Sequence, residues 1–279
     1  MPELPEVETV RRGLLPVMEG FSFTDVILNR PDLRFPFGAD FVERVKGQTL
    51  VRLARRAKFL KAELSSGDLL LMHLGMSGRF TIDPSGSIGE FAHTHNTNPK
   101  HDHVIFRMSG AASITYNDPR RFGFMELVAP GETSRLDRLG PEPLSNEFNA
   151  PAFREAIGGR KSKIKAALLD QNIVAGLGNI YVCEALYRSK ISPRRAAGRL
   201  TIAQTEALVI HVKDVITEAI AAGGSSLRDF ANTDGQLGYF QHSFDVYGRE
   251  DEPCLFCQAP IKRIVQSGRS TFFCGSCQS

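Results

Sequence analysis

RLDRLGPEPLSNEFNAPAF, residues 135–153, is the stretch on which the fold turns. It is rich in Pro, Gly and Asn, which interrupt regular structure, and the hydrophobic period changes across it. Upstream, SFTDVILNR (22–30), TLVRLARRAKFLKAEL (49–64), DLLLMHL (68–74), GRFTID (78–83), HVIFRM (103–108), SITYND (113–118) and RFGFMELV (121–128) are short β-rich runs separated by turn residues. Their close spacing predicts an antiparallel sandwich or a partly open barrel. Downstream, KSKIKAALLDQ (161–171), NIYVCEALYRS (179–189) and TIAQTEALVIHVKDVITEAIAAG (201–223) carry a helical period. The expected class is α+β, and 279 residues suit about two domains.

The far end of the chain adds a third region. Four of the five cysteines fall in CLFC (254–257) and CGSC (274–277), with sixteen residues between the pairs. Paired CxxC motifs at that separation predict one structural Zn2+ held by Cys254, Cys257, Cys274 and Cys277. IKRIVQSGRSTFF between them reads as two strands around a Ser-Gly turn, a zinc-stapled hairpin with Arg269 at its tip. Cys183, alone in a helical pattern, reads as a small buried apolar residue. The expected layout is a β-rich domain over 1–130 with a helix at its start, a linker over 131–150, a helical domain over 151–245 and the zinc region over 246–279.

The amino terminus, MPELPEVETV, lacks the basic start and apolar run of a secretory signal, and no run approaches the roughly 18 residues needed to span a bilayer. A cytoplasmic chain is expected. Val7, Val10 and Leu14 recur at helical spacing, Pro5 suits a first turn, and Glu6 and Glu8 complement the positive end of the helix dipole. A second reading concerns chemistry. Removal of Met1 exposes the secondary amine of Pro2, and a terminal amine titrating near pH 8 is partly neutral and nucleophilic at physiological pH. Glu3 stands beside it as an acid or base.

The formal net charge of +3 implies no polyanionic partner by itself. Its distribution says more: residues 159–200 hold nine basic groups against Asp170 and Glu184, and Arg52, Arg55, Arg56, Lys58 and Lys61 run without an intervening acid. Such clusters are solvated faces or surfaces that steer phosphate. QNIVAGLGNIYV places Gly176 and Gly178 just before a helix, where backbone amides suit a phosphate; Asn179 caps that helix or binds the anion. The histidines of the polar stretch PSGSIGEFAHTHNTNPKHDH (84–103) have no metal-ligand spacing, and the stretch reads as a surface loop.

Together, MPELPEVETV, RRAKFL, HLGMSGRF, DPRRFG, LGPEPL, GLGNIY, GGSSLRDF, GYF and GRSTFFCGSCQ resemble, in order and across essentially the whole chain, the bacterial formamidopyrimidine-DNA glycosylases. The resemblance implies a helix-two-turns-helix DNA-binding region and a monomer acting on double-stranded DNA that contains oxidised bases or abasic sites. By that resemblance Pro2 attacks the sugar C1′ of a damaged nucleotide, Glu3 is the acid that opens the sugar, Lys58 assists near the lesion strand, and Glu6 orients the terminus. Asn179 and Arg269 hold phosphates on either side of an extruded nucleotide. Met76, Arg120 and Phe122 fill the gap and read the orphaned base, since chemistry at C1′ demands base flipping. The implied activity is excision of oxidised purines followed by strand nicking through β,δ-elimination.

Two positions depart from the family pattern: Arg228 stands where many relatives have lysine, and Ser77 where some have an acid. The 83–101 loop is longer than the family pattern suggests. The sister endonuclease VIII-like enzymes share the fold but prefer oxidised pyrimidines; ELPEVE and the complete DPRRFG favour the formamidopyrimidine branch.

Overall fold

The computed structural model describes residues 2–84, 98–225 and 240–279. Arg228 and most of the 83–101 loop lie outside the described residues. The chain divides into two compact units, residues 1–134 with 223–239, and residues 135–222 with 240–279.

The first unit opens with α1 (Leu4–Met18), followed by β1 (Phe23–Leu28), α2 (Phe41–Val45), β2 (Leu50–Arg56), β3 (Phe59–Leu64), β4 (Leu69–His73), β5 (Arg79–Pro84), β6 (Asp102–Met108), β7 (Ala112–Asn117) and β8 (Phe124–Val128). Two four-stranded antiparallel sheets form, in orders β1-β6-β7-β5 and β2-β3-β4-β8. Of the two architectures open from sequence, the sandwich is the one found. Alternation explains it: Leu60, Ala62 and Leu64 of β3 and Ala112, Ile114 and Tyr116 of β7 turn inward to a core shared with Val7, Val10, Leu14 and Met18 of α1.

The run 49–64, continuous in its β character, folds as a hairpin. Ala57, at φ +52, reverses the chain and sets Lys58 in the turn between β2 and β3. Glu8 of α1 fixes this corner. Its carboxylate accepts from Arg11, Arg12 and Arg55, and Arg55 in turn donates to the Ala57 carbonyl at 2.9 Å. Burial pushes the Glu8 carboxyl up, but bonds from Arg11 and Arg12 and the charge of Arg55 outweigh it and hold it below its usual range.

The second unit contains α3 (Ala150–Ile157), α4 (Ile164–Leu169), α5 (Asn179–Arg188), α6 (Ile202–Ala221), β9 (Ile261–Gln266) and β10 (Arg269–Cys274). Helix α3 begins within the Pro/Asn-rich stretch read as linker; Asn149 accepts the Ala152 N–H at 3.0 Å and caps it. Thr201 and Gln204 form a reciprocal capping box at the start of α6. The expected hairpin is present, with Ser267 and Gly268 at φ +49 and +72, both left-handed as a two-residue turn requires.

Candidate active site and nucleic-acid interface

In the first unit the structure buries Pro2 and Glu3 at the entrance to α1. Glu6, one turn on, is also buried and is committed on both oxygens. Its Oε2 accepts the Glu3 N–H at 2.8 Å, and its Oε1 accepts the Ser225 N–H at 2.8 Å and hydroxyl at 2.9 Å. Gly224, at φ +80, lets the 223–225 segment come this close, since a Cβ there would press on the Glu6 side chain. The chain's second and third residues are thereby tethered to a segment more than 200 positions away. Lys58 is 8 % exposed at its turn, in the hairpin against which α1 packs.

Met76 lies half-buried in the loop after β4, while Arg120 and Phe122 are exposed on the loop between β7 and β8. The Arg120 guanidinium stands 4.9 Å over the Phe122 ring, a stacking that keeps the planar cation beside the apolar ring. A surface cavity of about 420 Å³ is lined by Leu33, Arg34, Arg120, Arg121 and Phe122. Arg34 went unremarked in the sequence; it reaches this place because its N–H donates to the Gly123 carbonyl at 3.0 Å.

In the second unit, Asn179 bonds the hairpin strand one residue past Arg269. Asn179 donates from Nδ2 to the Ser270 carbonyl at 2.9 Å, next to Arg269. Gly178, not Asn179, is the residue at the cap of α5, so the capping alternative fails; the side chain is turned toward the hairpin instead. Its Oδ1 is buried and accepts no hydrogen bond among the described residues. Lys165 is 1 % exposed and donates to the same Ser270 carbonyl at 3.0 Å and to Thr271 Oγ1 at 2.6 Å. It therefore belongs to the interior and adds nothing to a solvated basic face. Arg188 is likewise engaged, by Glu218 and Asp245.

Helix α5 also carries Glu184, fully buried, which accepts the N–H groups of Asp245, Val246 and Tyr247. Burial pushes its carboxyl up to about 7 against the opposing pull of those three bonds. Tyr187, one turn on, lies 3.2 Å from Cys254 Sγ.

The four paired cysteines place their sulfurs within 4.8 Å of one another, with Cys254–Cys277 at 3.9 Å and Cys257–Cys274 at 3.5 Å. Tetrahedral zinc with bonds of about 2.3 Å separates its sulfurs by about 3.8 Å. The donor set therefore fits one structural zinc, while Cys183 is buried and outside the cluster.

Three family descriptions match the chain in succession: the formamidopyrimidine-DNA glycosylase N-terminal domain over residues 1–125, its H2TH domain over 139–231, and a zinc finger found in FPG and IleRS over 251–279. The formamidopyrimidine-DNA glycosylase of Ruegeria pomeroyi is 57 % identical over the full length of both chains. Among solved structures, the MutM (FPG) protein of Thermus thermophilus is 38 % identical, with a TM-score of 0.86 over 99 % of this chain and 98 % of that one. A mutant of Lactococcus lactis FPG in complex with a Fapy-dG containing DNA is 33 % identical, with a TM-score of 0.88 over all of both chains. No described helix is long and apolar enough to cross a membrane. With all three domains in order and identity sustained from end to end, the chain belongs to the formamidopyrimidine-DNA glycosylase family.

Proposed function

We propose that this chain is a bifunctional glycosylase and abasic-site lyase of base-excision repair, acting on 8-oxoguanine and formamidopyrimidines in duplex DNA. The observation that carries the reading is the buried Pro2-Glu3 start, held at its first peptide by Glu6. An ordinary helix start frays and stays solvated; this one is fixed in place, as a nucleophile must be.

Once Met1 is removed, the Pro2 nitrogen attacks C1′ of the damaged nucleotide and the base leaves with the electrons of its glycosidic bond. Glu3 supplies the proton for opening the sugar at O4′. The C1′–N linkage is then an iminium. Because proline is a secondary amine, this iminium has no N–H proton to shed and remains cationic. That charge acidifies C2′, and loss of its proton expels the 3′ phosphate; the second elimination expels the 5′ phosphate. Lys58 supports the lesion strand beside the sugar, and Glu6 positions the terminus. The extruded base is replaced in the stack by Met76 and Phe122, with Arg120 reading the partner base.

Asn179, at the start of α5, and Arg269, on the hairpin, grip the flanking phosphates; Lys165 and Asn179 tie the hairpin to the helices at Ser270, and the four cysteines would hold its base through the zinc. Zinc supplies no chemistry here; it orders the turn that carries Arg269. The domain roles follow: catalysis in residues 1–130, DNA grip in 151–245 and 246–279.

Borohydride trapping on a duplex carrying one 8-oxoguanine tests the reading. The expected result is a covalent adduct whose peptide map ends at Pro2, strongly diminished in Pro2→Gly. An adduct on a lysine, or tight binding with neither adduct nor nick, overturns it.

A further inference from the structure

The loops that carry Met76 and Phe122 are separate in sequence, yet one buried side chain joins them. Asp118, fully buried at the end of β7, accepts on both oxygens. Oδ1 takes the Ser77 hydroxyl at 2.6 Å and the Arg120 N–H at 3.3 Å; Oδ2 takes the Gly123 N–H at 2.9 Å and the Tyr116 hydroxyl at 3.3 Å. Ser77 Oγ also accepts the Arg120 N–H, at 3.2 Å. Ser77 adjoins Met76, and the Arg120 and Gly123 amides bracket Phe122. The Asp118 carbonyl is itself held, by His103 Nε2 at 2.9 Å and the Arg121 N–H at 3.2 Å.

Sterics reinforce the bonds. A Cβ at Gly75 would collide with the backbone of Phe122 and Gly123, and one at Gly123 with the Tyr116 hydroxyl and the His73 carbonyl. The two loops therefore interlock at backbone distance, while Phe122 stays 44 % exposed at the apex. A large apolar side chain held out to solvent on a loop fixed from below is ordered before it meets a ligand, so less freedom is lost on insertion.

We propose that Asp118 is a positioning residue that locks the 74–78 and 118–123 loops into one preassembled wedge, so that Met76, Arg120 and Phe122 enter the duplex as a unit. The proposal rests on the reading of those three as gap-filling residues. A carboxylate suits the task because it is acceptor-only on both oxygens, whereas an amide would present N–H groups to two of the four donors. Ser77 is the partner on the opposite loop, a role the sequence, which marked it only as a departure from the family pattern, did not suggest.

The test is stopped-flow fluorescence of 2-aminopurine placed beside the lesion, with Asp118→Asn and with Ser77→Ala, which deletes a single hydroxyl. Both variants are expected to slow duplex opening roughly tenfold or more, the rate equivalent of one lost hydrogen bond to a charged group. Borohydride trapping on a single-stranded abasic oligonucleotide, which needs no base extrusion, is expected to stay within about twofold, by contrast with a global defect that lowers both rates together. In the otherwise unaltered chain, Met76→Ala and Phe122→Ala are expected to be strongly non-additive on opening, and closer to additive once Asp118 is Asn. Equal loss on the two substrates, or additive wedge substitutions with Asp118 intact, overturns the proposal. The single-strand adduct reads the Pro2 chemistry by itself, so a failure of that reading is distinguishable from a failure of the wedge.

Discussion

Glu6→Gln is the smallest change that tests how the amino terminus is held. The carboxylate accepts the Glu3 N–H on one oxygen and both donors of Ser225 on the other. Glutamine keeps the shape but has one accepting oxygen, and its NH2 must face either Glu3 N or Ser225 N, donor against donor. One charge-assisted hydrogen bond is lost, at about 1.5–3 kcal/mol, and no cavity opens to add to it. In a unit of roughly 150 residues that lowers the unfolding midpoint by about 3–12 °C. The activity effect is larger in kind: with the terminus no longer fixed, the rate of borohydride adduct formation falls while affinity for an uncleavable abasic analogue changes little. Calorimetry and single-turnover trapping measure the two. An unchanged midpoint together with an unchanged trapping rate would refute the tether.

Glu184 makes stability pH-dependent. Its carboxyl is raised from an ordinary 4.5 to about 7, so between those values the folded chain keeps a proton that the unfolded chain has released, and stability falls as pH rises through the window. The expected loss is about 3 kcal/mol across it; Glu184→Gln should abolish that slope in urea titrations run from pH 5 to 8, and an identical slope in both proteins contradicts the assignment. Arg269→Ala is expected to weaken duplex binding about equally for all sequences and to reduce the salt dependence of log K by about one unit. An unchanged salt slope, measured by fluorescence anisotropy, removes Arg269 from the phosphate contacts.

Much of the fold was readable because its signals are local. Alternation in β3 and β7, the change of period across 135–153 and the two CxxC pairs each dictate structure within a few residues. Helix α2 has five residues, too few to establish a period, and α3 starts inside a stretch whose Pro and Asn look like loop; Asn149 as its cap was the available sign. The terminal residues, the wedge candidates and the zinc thiols stood out by residue type and motif. Their supports did not. Nothing local in KSKIK separates Lys165, buried 105 positions from its acceptor, from the exposed cations around it. Ser225 and Asp118 are equally silent, since their meaning comes from pairings 219 and 41 positions apart.

Helix α5 bears on where this chain can be cut. Asn179 bonds the hairpin at Ser270, Glu184 gathers the three amides that lead into the zinc region, and Tyr187 reaches Cys254. At the other end, Gln278 donates to the Ile191 carbonyl and the Ser279 N–H to that of Lys190, just past the same helix. The zinc hairpin is thus not a portable module, although its motif is self-contained in sequence. A chimera that grafts residues 251–279 onto another scaffold would carry the metal ligands and leave behind the splint that aims the tip; a graft beginning before Asn179 would bring both.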